Sequence, residues 1–139
     1  MKNWPETTTE LTAQLRSLRS GAPEVMKAFA NIAQSALTAR ALDRKTKELI
    51  AVGISVAARC DDCIGFHVKA ALEQGASQEE VTETLAMAIY MGAGPSVMYA
   101  THALEAYAQF AGRNKNPNPA SAAQDARATG IPSDAAISA

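Results

Sequence analysis

The sequence predicts an all-α protein of about six helices that buries its excess apolar surface by self-association. Apolar residues recur at three- and four-residue intervals along most of residues 9–110, which is the period of an amphipathic helix. Almost no segment shows the strict alternation that is typical of a half-buried strand. With 139 residues, 47% of them hydrophobic, the chain is long and apolar enough for one domain with its own core.

The first two helices are predicted at the N-terminal end. Residues 9–18 place three leucines at helical spacing, and Gly21 ends that pattern. Pro23 suits the first turn of a second helix. The apolar face of that helix consists of Val25, Met26, Phe29, Ile32, Ala33 and Leu37. We therefore divide the chain into an N-terminal helix, residues 1–21, and a main helical domain, residues 22–112.

The third and fourth helices form the predicted centre of the domain. Asp43 is a suitable N-cap for the third helix, which is apolar on most sides and should lie inside the domain or in a subunit interface. The helical pattern that begins there exceeds the length of a typical globular helix, so we expect a break at residues 59–61. Asp61 or Asp62 would then cap the fourth helix, with Cys63 in its first turn.

Two further helices follow. Gly75 is expected to end the fourth helix, and Ser77 with Glu80 forms a capping box that begins the fifth. The segment 92–95 interrupts the pattern, and Pro95 can begin a sixth helix.

The end of the chain differs in composition from the rest. After Gly112 the residues are mainly Asn, Pro, Ala and Ser, which predicts a tail over residues 113–139 that is flexible or wraps on a neighbouring subunit. Met87, Met91 and Met98, at helical spacing, are assigned to the core, with a pocket for an apolar hydroperoxide as the alternative.

Charge and the N-terminal sequence exclude several classes of partner. The net charge is −1 and the basic residues are scattered, so we expect neither nucleic acid nor an anionic membrane as a partner. No signal-peptide pattern or membrane-spanning apolar run is present in the sequence, and a cytoplasmic protein is expected. In that reducing compartment a C-x-x-C pair is more often catalytic or metal-binding than structural.

Both cysteines and one of the two histidines fall in one short segment. Cys60, Cys63 and His67 stand at i, i+3 and i+7, which places them on one stripe of a helix. His67 follows Cys63 by one turn, so its imidazole can exchange a proton with that thiol. A helix N-terminus lowers the pKa of a cysteine below its free value of about 8.5, whereas the carboxylates of Asp61 and Asp62 oppose that effect.

This segment fits a thiol-based redox cycle. A thiolate that attacks the O–O bond of a hydroperoxide becomes a sulfenic acid, which a nearby thiol converts to a disulfide. His67 is the nearest candidate proton donor for the leaving alkoxide, and Glu48 could set its tautomer and orientation. An external reductant must then open the disulfide by thiol exchange.

Other interpretations stay open at this point. Cys60, Cys63 and His67 could supply three zinc ligands, with Glu48 or Asp62 as a fourth, in a non-catalytic oligomeric module. Decarboxylase-like chemistry on a small organic acid would not need the cysteines. His102, in the sixth predicted helix, is assigned to the core or to an interface.

Glu48, Cys60, Cys63 and His67 resemble the motif of a known family in their spacing. The chain is similar, over about residues 22–111, to the AhpD-like (alkylhydroperoxidase D-like) branch of the carboxymuconolactone decarboxylase family. The resemblance also rests on the surrounding segment 47–53 and on Ala70, Leu72, Gly75 and Ala76.

The resemblance implies an all-helical trimer or hexamer that reduces peroxides with thiols and needs neither a cofactor nor a metal. Cys63 would attack, Cys60 would resolve, and His67 with Glu48 would relay the proton. The substrate would be a hydroperoxide or a small disulfide, and the reductant an external thiol protein of the thioredoxin-like or lipoyl type. Founding AhpD proteins have a histidine where this chain has Asp62.

Overall fold

The computed structural model describes residues 1–115 and builds them from five α-helices, which confirms the all-α prediction. These helices are α1 (Trp4–Gly21), α2 (Pro23–Leu37), α3 (Arg44–Ala57), α4 (Asp61–Glu73) and α5 (Gln78–Lys115). The described residues contain no strand. None of the five helices is both long enough and apolar enough to cross a membrane.

The core lies where α3, α4 and α5 pack on one another. Small and branched side chains dominate it, with Trp4 as its largest member. The indole of Trp4 brings α1 against α4 at Gly65, where an added Cβ would lie 3.4 Å from the ring. The other buried apolar residues of the core are Val52, Val56, Ile64, Val68, Ala71, Ala76, Val81, Leu85, Ala88, Ala100, Ala103, Ala106 and Phe110.

Several helix ends agree with the sequence analysis. Asp43 caps α3, and its carboxylate accepts a hydrogen bond of 2.7 Å from the backbone N–H of Thr46. Ser77 and Glu80 form the predicted capping box through reciprocal bonds of 2.8 and 3.1 Å. Gly75 ends α4 with φ of 82°, a conformation that glycine adopts without steric cost.

One element boundary differs from the predictions. α1 begins at Trp4 rather than near residue 9, because Asn3 caps it and accepts a 3.3 Å bond from the N–H of Glu6. The predicted fifth and sixth helices follow one another in α5 without a loop and meet at a kink at Ala93, whose φ of 53° and ψ of −148° are not helical. The break predicted at residues 92–95 is therefore confirmed, and α5 consists of two helical parts.

The predicted tail also begins later than expected. α5 continues past Gly112 to Lys115, so residues 113–115 are helical. The rest of the predicted tail, 116–139, lies outside the described residues.

Much apolar surface on α2, α3 and α5 faces solvent in the single chain. α3 buries Val52 and Val56, but Ile54 on its other side is 64% exposed, so only part of the predicted burial is found within the domain. The assignment of the methionines to the core is wrong, because all three are mostly exposed. The exposed large apolar residues of the three helices include Val25, Phe29, Ile32, Ile50, Ile54, Met87, Tyr90, Met91 and Met98. The oligomer expected from the sequence stays a prediction.

Candidate redox site

The site is organised by the reversal of the chain between α3 and α4. After Ala58 the backbone of Arg59 takes a left-handed conformation with φ of 58°. The N–H of Cys60 then donates to the carbonyl of Ser55 at 3.0 Å. Non-glycine residues seldom adopt a positive φ, so the packing of α3 on α4 must hold this turn. The turn places Cys60 at the N-terminus of α4, and the break predicted at residues 59–61 is confirmed.

Cys60 itself is the N-cap of α4. Its backbone is extended, and its Sγ accepts a hydrogen bond of 3.2 Å from the N–H of Cys63. The prediction that Asp61 or Asp62 caps this helix is therefore wrong, and these two residues occupy its first turn instead. A sulfur atom takes the capping place because the turn at Arg59 delivers Cys60 there. Cys63 lies in the first turn, as predicted.

The two cysteines form a disulfide across the start of α4. Their Cα atoms are 5.3 Å apart, and both side chains are partly accessible. The bond lies at the positive end of the helix dipole, and Sγ of Cys60 accepts the N–H of Cys63 in the first turn. This environment stabilises a thiolate once the bond is reduced.

A buried carboxylate on α3 orients the histidine on α4. Nδ1 of His67 lies 2.8 Å from Oε2 of Glu48, whose side chain is completely buried. The other oxygen of Glu48 accepts a bond of 3.0 Å from Nε of Arg44. Burial raises the pKa of Glu48, but the bonds from His67 and Arg44 outweigh it and hold that pKa below its ordinary value. Glu48 is therefore ionised inside the protein.

This arrangement gives His67 a defined chemical role. Its Nδ1 is bound to Glu48, so Nε2 is the nitrogen left to give or take a proton. His67 follows Cys63 by one helical turn on the same face of α4. The structure thus brings Cys60, Cys63, His67 and Glu48, all four predicted site residues, into one region where α3 meets α4.

A second histidine–carboxylate pair lies at the same end of α4 and was not predicted. Nδ1 of His102 is 2.8 Å from Oδ1 of Asp61, and Nζ of Lys2 is 3.4 Å from the other oxygen, Oδ2. The assignment of His102 to the core is wrong, because 38% of its side chain is exposed, and its assignment to an interface stays a prediction. Asp61 is 41 positions from His102 and 59 positions from Lys2 in the chain, so no local pattern could show their contact.

The two adjacent acidic residues of the motif have different surroundings. Burial raises the pKa of Asp61, but the hydrogen bond from His102 and the charge of Lys2 outweigh it, and the pKa lies below its ordinary value. Asp62 is exposed to solvent, where water and salt screen its charge. The opposition to a thiolate that two carboxylates would exert is thus reduced at both positions.

The same side chains do not form a metal site in the part of the chain that the structure describes. Within residues 1–115, no group of three or more His, Cys, Asp or Glu side chains is arranged to hold a metal ion. Cys60 and Cys63 are bonded to each other, and a disulfide sulfur is not the thiolate that zinc binds.

Known proteins resemble this chain over most of the helical domain. The model of the carboxymuconolactone decarboxylase family matches residues 23–106. An uncharacterized protein of Cupriavidus necator is 42% identical over 96 residues, which are 69% of this chain and 85% of that protein.

Two solved structures share the fold. A carboxymuconolactone decarboxylase family protein from Legionella pneumophila is 47% identical with a TM-score of 0.76, over 79% of this chain and 98% of that one. A family protein from Thermotoga maritima, for which a part in the antioxidative response has been suggested, is 30% identical with a TM-score of 0.73. It aligns over 80% of this chain and 95% of its own.

Proposed function

The chain belongs to the carboxymuconolactone decarboxylase family, and we propose that it is an AhpD-like member that reduces hydroperoxides through Cys60 and Cys63. One observation carries this proposal. The disulfide lies at the N-terminus of α4, and one turn further along the helix His67 is bound to the buried carboxylate of Glu48. The suggested antioxidative role of the Thermotoga maritima relative agrees with it.

The first step takes place at Cys63. Its thiolate attacks the nearer oxygen of the hydroperoxide, the O–O bond breaks, and the thiol becomes a sulfenic acid. The departing alkoxide or hydroxide takes a proton from Nε2 of His67. Glu48 holds Nδ1 of the ring and stabilises the protonated imidazole before this transfer.

The second step produces the disulfide seen in the structure. The thiolate of Cys60 attacks Sγ of Cys63, and the sulfenic oxygen leaves as water after it gains a proton. The two residues are three positions apart with their Cα atoms 5.3 Å apart, so no large movement is needed. An external dithiol protein of the thioredoxin-like or lipoyl type then reduces the disulfide by thiol exchange.

Rapid mixing tests this function directly. Pre-reduced protein is mixed anaerobically with hydrogen peroxide or an organic hydroperoxide, and free thiols are counted over time. We expect each peroxide consumed to remove two thiols per chain, and Cys63→Ser to abolish the fast phase. Thiols that do not react with peroxide but exchange with small disulfides would indicate a general disulfide oxidoreductase instead of a peroxidase. Activity on a small organic acid that survives Cys63→Ser would favour decarboxylase-like chemistry.

We also propose that the working protein is a homo-oligomer, a trimer or a hexamer. Three large apolar residues of α2, Val25, Phe29 and Ile32, are each more than 60% exposed, and they recur at helical spacing. A second copy of the chain would cover this stripe. Light scattering should therefore give a mass that is a multiple of 14.6 kDa, and Phe29→Asp should lower it. A monomeric wild-type protein would contradict this proposal.

A further inference from the structure

Lys2, Asp61 and His102 form a cluster beside Cys60 that takes no part in the peroxide step. We propose that this charge cluster serves the reductive half of the cycle, by offsetting the negative charge next to Cys60 so that Cys60 leaves as a thiolate when an external dithiol opens the disulfide. The inference rests on the proposed redox function and assigns a part of it to residues outside the family motif. The three residues act through Cys60, so they are positioning residues.

Asp61 is the residue of the cluster that lies next to Cys60 in the chain. Cys60 is the N-cap of α4 and Asp61 is the first residue after it, so their side chains start from adjacent Cα atoms. A carboxylate at this separation, left unpaired, would disfavour a thiolate. The unpaired carboxylate would then cancel much of the stabilisation that the N–H of Cys63 and the helix dipole give to a thiolate at Sγ of Cys60.

The fold compensates this charge from two separate parts of the chain. The ammonium group of Lys2 reaches one carboxylate oxygen of Asp61 from the N-terminus, and the imidazole of His102 reaches the other from α5. The indole of Trp4 contacts both partners: its ring centre lies 4.7 Å from Nζ of Lys2 and 6.1 Å from the ring centre of His102. Tyr99 packs on His102 from the same helix, at 5.1 Å between ring centres.

Two further carboxylates, Glu105 and Asp62, stand near the cluster, and the cation Arg59 directly precedes Cys60. On α5, Glu105 stands one turn after His102 and accepts the indole N–H of Trp4 at 3.1 Å. On α4, Asp62 is exposed to solvent. The ammonium of Lys2 supplies the positive charge that faces the carboxylate of Asp61.

The cluster would assist the step in which an external dithiol reduces the disulfide between Cys60 and Cys63. A thiolate of the dithiol attacks Sγ of Cys63 and forms a mixed disulfide, while the Cys60–Cys63 bond breaks and its electron pair stays on Sγ of Cys60. The second thiol of the reductant then displaces Cys63. Two electrons and two protons pass from the dithiol to the protein, and the reductant becomes a disulfide. A leaving thiol that is more stable as a thiolate departs faster.

Lys45 supplies a matched control. Its side chain is 33% exposed, as is that of Lys2, and it pairs with Glu80 at 2.7 Å. That ion pair joins the first turns of α3 and α5, away from the motif. A general effect of removing one exposed ion pair would appear equally in Lys2→Met and Lys45→Met.

The first test isolates Cys60. In Cys63→Ser chains Cys60 is the only thiol, because the protein has two cysteines. The rate of alkylation by iodoacetamide, measured from pH 5 to 10, gives the midpoint at which half of Cys60 is thiolate. Lys2→Met should raise this midpoint, with about threefold less thiolate below it, whereas Asp61→Asn should lower it. The double variant Lys2→Met/Asp61→Asn should return close to the parent, and Lys45→Met should not move the midpoint.

The second test uses the intact disulfide. Reduction of the oxidised full chain by dithiothreitol should be about threefold slower in Lys2→Met and unchanged in Lys45→Met. The inference would be overturned if Lys2→Met and Lys45→Met were reduced by dithiothreitol at the same rate. It would also be overturned if Lys2→Met and Asp61→Asn moved the alkylation midpoint of Cys60 in the same direction. Neither test uses peroxide, so a protein that fails to react with peroxide would refute the peroxidase proposal without touching this result.

Discussion

Two histidine–carboxylate pairs flank the same disulfide and differ mainly in burial. In both, Nδ1 of the ring lies 2.8 Å from a carboxylate oxygen. Glu48, between α3 and α4, is completely buried and is also bound by Arg44. Asp61, between α4 and α5, keeps a third of its side chain exposed and has Lys2 as its second partner.

This difference in burial predicts different roles for the two pairs. A carboxylate that is shielded from water holds its histidine partner in one tautomer and one ring position, and the removal of a partner leaves an uncompensated buried charge. A pair that water reaches is screened and contributes little to stability, although it still changes the potential at a neighbouring atom. The buried pair therefore suits proton transfer, and the exposed pair suits adjustment of charge.

The largest expected effect is on catalysis at the buried pair. His67→Asn should slow peroxide-dependent thiol loss by about 100-fold, the usual contribution of a positioned general acid. His102→Asn is the matched control, because it removes the other histidine and its 2.8 Å bond to a carboxylate. Similar peroxide rates for the two variants, in the stopped-flow assay, would show that burial does not distinguish these pairs.

The next largest expected effect is at Glu48, whose replacement should lower both the peroxide rate and the free energy of unfolding. Glu48→Gln keeps the shape of the side chain but removes the charge that faces both Arg44 and His67. We expect a loss of about 2 kcal/mol in the free energy of unfolding, because charged hydrogen bonds to a buried group are lost. The peroxide rate should fall about tenfold, since His67 would be less well oriented. Denaturant titration and stopped-flow mixing measure the two.

The pH dependence of stability should follow from the same carboxylate. Because the folded-state pKa of Glu48 lies below its ordinary value, its contribution to stability is complete at neutral pH and is lost as the pH falls through the folded-state pKa. The stability difference between wild type and Glu48→Gln should therefore shrink below about pH 4. Denaturant titrations at neutral and acidic pH would reveal it, and a constant difference would mean that the pKa of Glu48 is the same in the folded and the unfolded protein.

The smallest expected effect is on stability at the exposed pair. Asp61→Asn should change the free energy of unfolding by less than about 1 kcal/mol, because water screens the bonds to His102 and Lys2. Chemical denaturation measures this change. A loss as large as that of Glu48→Gln would show that the cluster holds α4 and α5 together instead of adjusting charge.

Local sequence signals were sufficient for most of the fold. Asp43, the capping box at Ser77 and the glycine after α4 each act within a few residues, so the ends they mark could be predicted. The interruption of α5 was also placed correctly, although the sequence did not show that its two halves would form one element. The start of α1 was missed because it depends on Asn3 and on contacts of Trp4 with α5.

The site could be predicted only in part for the same reason. The spacing of Cys60, Cys63 and His67 is local, and the family resemblance supplied Glu48. The contact of Asp61 with Lys2 and His102 depends on how α5 and the N-terminus pack, and no periodicity encodes it. The capping role of Cys60 likewise depends on the left-handed turn at Arg59, which sequence propensity disfavours.

Trapping of the sulfenic acid shows which cysteine attacks the peroxide, expected to be Cys63, and which resolves the product, expected to be Cys60. Pre-reduced Cys60→Ser protein is treated with one equivalent of hydrogen peroxide in the presence of dimedone and analysed by mass spectrometry. Without a resolving thiol, Cys63 should carry the dimedone adduct, at a rate that falls when His67→Asn is added. Slow and weak labelling of Cys63, together with rapid labelling of Cys60 in the Cys63→Ser protein, would contradict the account.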